Sequence, residues 1–85
     1  ADEDVAMEIG RIFHSLGDYE RALEFYECSR SQWGEHHTTW YNSGLCQLEL
    51  QKPEKAEAAF RQALKLDSTD DAARDCLNEL LRKKT

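Results

Sequence analysis

Apolar positions recur every three or four residues along this chain, in five stretches separated by short polar breaks. Val5, Ile9, Ile12, Phe13 and Leu16 make the first stripe, the spacing of one helical face. Leu16-Gly17-Asp18-Tyr19 interrupts it. Gly17 suits the residue after a helix C-terminus, and Asp18 suits the cap of the next helix. Ala22, Phe25, Tyr26 and Ser29 line the second helix, which breaks at Trp33-Gly34-Glu35-His36. A third runs from His37 to Leu50, with Trp40, Tyr41, Leu45, Cys46 and Leu48 as its apolar residues. Gln51-Lys52-Pro53 turns the chain and places Pro53 in a first helical turn. Ala56, Ala59, Phe60, Ala63 and Leu64 mark the fourth helix. Asp67-Ser68-Thr69-Asp70 is the last break, with Ser68 or Thr69 as the expected cap. Ala72, Ala73, Cys76, Leu77, Leu80 and Leu81 form the fifth stripe. Arg82, Lys83 and Lys84 end it, where cations suit the helix dipole.

Composition agrees with an all-α reading. More than half of the 85 residues are strong helix formers, and Val and Ile together number three. One proline and four glycines leave little material for a turn-rich β fold. A chain of this length buries only about 60% of its unfolded surface, so it carries one modest core.

The stripes also repeat. Slid by 34 residues without a gap, Gly10 falls on Gly44, Ala22 on Ala56 and Glu20 on Glu54. Tyr26 falls on Phe60, Leu16 on Leu50 and Arg21 on Lys55. Small residues meet small ones, aromatics meet aromatics, and charges meet like charges. Gly44 and Ala56 stand where two helices must approach closely, and Phe60 is the bulky knob between them. A single helix pair cannot bury its own apolar face, so pairs must stack.

Trp40-x3-Gly44, Ala56-x3-Phe60-x2-Ala63 and Leu64-x-Leu66-Asp67 resemble a tetratricopeptide repeat, and the period is similar too. Residues 3–36 form a first repeat, matched through Gly10, Phe13, Gly17-Asp18-Tyr19, Ala22 and Tyr26. Residues 37–70 form a second, and residues 71–84 resemble the closing helix. Several positions depart from the pattern. Ala6 stands where a tryptophan is common, and Arg30 and Gln32 replace the leucines found at Leu64 and Leu66. Trp33-Gly34 and Ser68 stand at the usual Asp-Pro junctions, and Gln51 takes a turn position usually held by glycine. The second helix therefore either runs long or turns Trp33 inward to fill the leucine's space.

The resemblance implies a right-handed α–α superhelix with a concave groove, lined by the first helix of each repeat, that binds peptides or assembles complexes. Carried onto this chain, the groove residues are Met7, Arg11 and His14, then Thr38, Tyr41, Asn42, Leu45 and Leu48, and on the closing helix Asp75 and Glu79. Their spacing gives them shared faces. Tyr and Arg recur at binding hot spots, and Met adapts its contacts. A partner segment can lay apolar anchors on Tyr41, Leu45 and Leu48; alternatively the strip packs on neighbouring helices. Members that hold the Hsp70 or Hsp90 tail use a carboxylate clamp. Here Asn42 matches one clamp asparagine, while Met7, Arg11, Thr38 and Cys76 replace the others. One match in five argues against that mode of tail binding. The alternative class is an architectural segment of a longer solenoid that binds nothing alone. A third reading is a homodimer through the groove or an open end.

Charge and cysteine usage narrow the setting. The net charge is −6, all of it carried by residues 1–35. That balance opposes nucleic-acid binding, which needs a basic face, and it favours solubility. Cys28, Cys46 and Cys76 are odd in number and widely spaced. With no signal-peptide core and no long apolar run, they fit a reducing, intracellular site, cytoplasmic with the nucleus left open. The chain begins at Ala1, which leaves open a processed protein or a piece of a longer one.

No catalytic or metal constellation is expected, and no cofactor. His36 and His37 are adjacent and point apart on a helix, where they read as an exposed turn. Cys46 and Cys76 sit on apolar stripes as small core residues, and Cys28 lies beside Glu24 and Glu27. Asp70-Asp71 read as first-turn acids. The acids of the last helix oppose a membrane-surface role for its basic end.

Overall fold

The computed structural model describes residues 5–83; Glu3 at the expected start of the first repeat and Lys84 at the chain's end lie outside them. Five α-helices follow one another: α1 (Val5–Ser15), α2 (Tyr19–Trp33), α3 (His37–Glu49), α4 (Pro53–Leu66) and α5 (Asp71–Lys83). Each packs on the next in chain order. The body is drawn out along one direction, 45 × 27 × 16 Å, as stacked helix pairs require.

The helix ends follow from local chemistry. Asp18 caps α2 by accepting from the Arg21 backbone N–H at 3.2 Å. Pro53 opens α4 in its first turn. Gly17 ends α1 with φ +83°, a left-handed conformation that glycine adopts without penalty. Gln51 holds the same region at φ 63° after α3, and there a side chain carries the cost. The α5 cap differs from expectation. Asp70, not Ser68 or Thr69, accepts from the Ala73 backbone N–H at 3.0 Å. Thr69 instead donates its N–H and hydroxyl to Asp67 Oδ1, at 3.0 and 2.5 Å. The Asp67 carboxylate binds the turn, which leaves Asp70 to cap the helix.

The core has two clusters, each spanning consecutive helix pairs. Ala22, Tyr26 and Cys46 are fully buried in the first, with Met7, Phe13, Tyr19 and Leu23 packed around them. Ala56, Phe60, Ala63, Ala73 and Leu77 form the second, flanked by Trp40, Tyr41, Leu45, Leu48, Leu64, Cys76 and Leu80. The glycine–aromatic pairs read from the repeat meet in space. A Cβ on Gly44 would lie 2.5 Å from the Phe60 ring, and one on Gly10 would lie 2.7 Å from the Tyr26 ring. Both pairs therefore need glycine so that the helices can close over a flat ring. Phe60 is 0% exposed, and burying such a side chain stabilises the fold by about 1.5–3 kcal/mol.

The junction between repeats is built around Arg30. Helix α2 runs on to Trp33, and Trp33 is 43% exposed, so it does not swing inward. Arg30, one turn earlier, takes the space instead. Its guanidinium lies 3.9 Å from the centre of the Trp40 ring and donates to Ser43 Oγ at 3.0 Å. The Trp40 indole N–H in turn donates to Glu35. A planar cation over an indole face is a favourable stack.

Candidate partner-binding groove

The ten residues expected to line the groove lie on α1, α3 and α5. On α1, Arg11 is exposed and pairs with Glu8 at 3.4 Å. Met7 is half-buried against the first cluster. His14 is half-buried and meets the edge of the Tyr19 ring at 5.5 Å. On α3, Thr38 is exposed and Asn42 half-buried. The Asn42 amide has no hydrogen-bond partner among the described residues. On α5, Asp75 and Glu79 are exposed, and Glu79 pairs with Arg82 at 2.9 Å.

Tyr41, Leu45 and Leu48 are each half-buried and packed against the second cluster. The Tyr41 ring lies 6.0 Å from that of Phe60. Burial raises the Tyr41 phenol above its ordinary value, with Cys76 and Asp70 adding to the rise. Tyr41 packs against the second cluster while keeping part of its surface open. Each member of this strip serves packing and exposure together.

One contact escaped the sequence reading. His37, expected in an exposed turn, is the first residue of α3 and is half-buried. Its Nδ1 lies 2.7 Å from Asp70 and its Nε2 3.3 Å from Asp67. Asp70 therefore caps α5 with one oxygen and meets α3 with the other. These partners stand 30 and 33 residues away, and only the stacking of helices brings them together.

The Cys46 and Cys76 thiols are poor nucleophiles here. Burial pushes Cys46 up to about 11, and it raises Cys76 as well. No group of His, Cys, Asp and Glu is placed to hold a metal ion among the described residues. No helix among them is long and apolar enough to cross a membrane.

The helix pairs, the glycine–aromatic contacts and the closing helix define a tetratricopeptide-type helical repeat. The chain belongs to that family: the tetratricopeptide repeat model matches residues 3–69. No curated protein sequence matches it at a significant level. Among solved structures, it is similar to the second tetratricopeptide domain of Spaghetti (RPAP3), bound to the HSP90 peptide SRMEEVD. The two are 28% identical, with a TM-score of 0.79 over 92% of this chain and 82% of that one.

Proposed function

We propose that the chain is a protein-interaction scaffold that receives a segment of a partner protein along the face formed by α1, α3 and α5. The observation that carries this reading is the likeness to a domain of the same fold that holds a peptide. Arg11 supplies a forked cation at one end of the face. Asn42 supplies an unpaired amide at the middle, able to bind a partner's backbone. Tyr41, Leu45 and Leu48 supply the apolar strip, and Asp75 and Glu79 meet cationic side chains at the far end. His14, Thr38 and Met7 complete the lining. Three free thiols fit an intracellular setting, cytoplasmic or nuclear.

The peptide in the similar structure, SRMEEVD, is acidic. This chain keeps one of five clamp residues, Asn42, so its groove takes a different segment. Affinity capture from lysate tests the scaffold reading, with wild type beside Arg11→Ala/Asn42→Ala and mass-spectrometric identification. Arg11 is exposed and Asn42 half-buried, and circular dichroism of the variant checks that it is folded. Partners held by wild type and lost by the variant support the groove. Equal capture by both refutes it. Calorimetry with SRMEEVD tests the clamp separately, and tight binding that depends on Asn42 would overturn its absence.

A second reading has its own support. Val5, Ile12 and Leu16 on and just after α1 are 58%, 57% and 73% exposed, and Leu66 and Leu81 are exposed at the other end. Apolar ends of this kind suit stacking on further repeats or on a second copy. A folded, monomeric chain that captures nothing favours this architectural role.

A further inference from the structure

A cavity of about 590 Å³ opens between α2 and α4, floored by α3. It lies on the far side of α3 from the groove. Trp40, Ser43 and Gln47 face it, whereas Thr38, Tyr41, Asn42, Leu45 and Leu48 are the α3 residues of the proposed groove. At 3.6 residues per turn the two sets point about 160° apart. The volume is that of an ordinary ligand site.

The lining is chemically selective. Leu23 from α2 and Ala58 and Ala59 from α4 make an apolar wall. Arg30 from α2 and Lys55 from α4 bring two cations to it, against one acid, Glu27. The lining side chains alone thus carry one excess positive charge, which Glu35, hydrogen-bonded to the Trp40 indole beside the cavity, offsets in part. Arg30 is half-buried and lies flat on Trp40. Its hydrogen-bond partner is the neutral Ser43 hydroxyl, and no carboxylate stands within ion-pair distance of it among the described residues. Burial lowers its proton affinity, and the charges of Glu35 and Glu27 offset that only in part. A desolvated cation without a carboxylate gains from one that arrives with a ligand. Gln47 adds a second unmet need. Its Oε1 is buried with no hydrogen-bond partner among the described residues, and it can accept an N–H.

We propose that this cavity binds an acidic peptide segment of a partner protein, with a carboxylate between Arg30 and Lys55 and an adjoining apolar side chain against Leu23, Ala58 and Ala59. The Gln47 amide turns its buried oxygen into the cavity to accept a peptide N–H from the same segment. The chain then holds two segments at once, on opposite faces of α3. This site is independent of the groove reading above, because it shares none of the groove's residues.

The test is a nuclear magnetic resonance titration of the ¹⁵N-labelled 85-residue chain. The probe is the peptide acetyl-Leu-Glu-Glu-Leu-amide, with acetyl-Leu-Gln-Gln-Leu-amide as the neutral control. The Trp40 indole and the Gln47 side-chain amide report the cavity, and the Asn42 amide reports the groove. The acidic peptide should give saturable shifts at Trp40 and Gln47 with Asn42 still. The neutral peptide should bind several-fold more weakly. Lys55→Glu, on an exposed side chain that leaves the fold intact, should weaken the acidic peptide about fivefold, the size of a rim ion pair. Three results overturn the proposal. They are equal binding of both peptides, shifts confined to Asn42, and no saturable shift up to the solubility limit of the acidic peptide.

Discussion

Replacing Gly44 by alanine adds one methyl group, and the structure shows where that methyl must go. Its carbon would stand 2.5, 2.7 and 2.8 Å from three atoms of the Phe60 ring. The ring is 0% exposed and flanked by Tyr41 at 6.0 Å, so it has no free side to move into. Two effects oppose each other. Alanine in a helix interior is worth about 0.5–1 kcal/mol over glycine. Overpacking a filled core costs about 1–3 kcal/mol, sometimes more. Overpacking wins, and Gly44→Ala should lose about 1–2 kcal/mol net. Phe60→Ala should lose about 3–5 kcal/mol. In the double variant the methyl enters space that the ring has left, so alanine's helical preference returns. The pair should then be coupled by about 1.5–3 kcal/mol, the double variant being less damaged than the singles sum to. Urea unfolding followed by circular dichroism measures all four corners. A chain of this length has only about 4–13 kcal/mol in total. Phe60→Leu serves wherever alanine leaves too little folded protein. Coupling below about 0.5 kcal/mol would place the ring elsewhere and refute the packing described here.

Other consequences follow from single positions. Tyr26 fills the place that Phe60 fills in the second repeat, yet its hydroxyl is buried without a partner among the described residues, and burial pushes it up to about 12. Tyr26→Phe should therefore stabilise the fold by about 1 kcal/mol, read as a higher melting temperature. Gln51→Gly should also stabilise, by about 0.5–1 kcal/mol, because glycine holds φ 63° without strain. Asp70→Ala removes the α5 cap and the His37 contact together; it should cost at least about 1 kcal/mol and speed hydrogen exchange in α5, whereas Asp70→Asn should keep the cap. Hydrogen bonds from Thr69 hold Asp67 below its ordinary 3.8, helped by His37. Its stabilising contribution is thus present above that pH and is lost as pH falls through the lowered value. Thermal melts between neutral and acid pH should show Asp67→Asn losing less stability than wild type over that window.

The repeat register was legible because it rests on side-chain size at fixed spacing. Gly44 with Phe60, Ala56 at the helix crossing, Asp18 as a cap and Pro53 as a helix start all lie close in sequence to what they act on. The α5 cap was not legible. Four polar residues in a row are all able to cap, and only the turn's own hydrogen bonds decide which one is free. His37 with Asp67 and Asp70, and Arg30 with Trp40, depend on how helices stack, and spacing along one helix carries no such information. Arg30 was visible only as a departure where the second repeat has Leu64. The cavity beside it left no mark in the pattern of apolar positions. The positions expected to line the groove lie on α1, α3 and α5. The double duty of Met7 and Tyr41, packing and exposure together, emerges only from burial.

If the chain works as proposed, the face of α1, α3 and α5 meets a partner protein. The most direct test places a photo-crosslinking amino acid at Thr38, exposed on that face, and separately at Lys65, exposed on α4. Both chains are illuminated in lysate, and the adducts are identified by mass spectrometry. A defined partner should be joined at Thr38 and not at Lys65, with its contact peptide mapped to one segment. Adducts formed equally from both positions, or from neither, would contradict it.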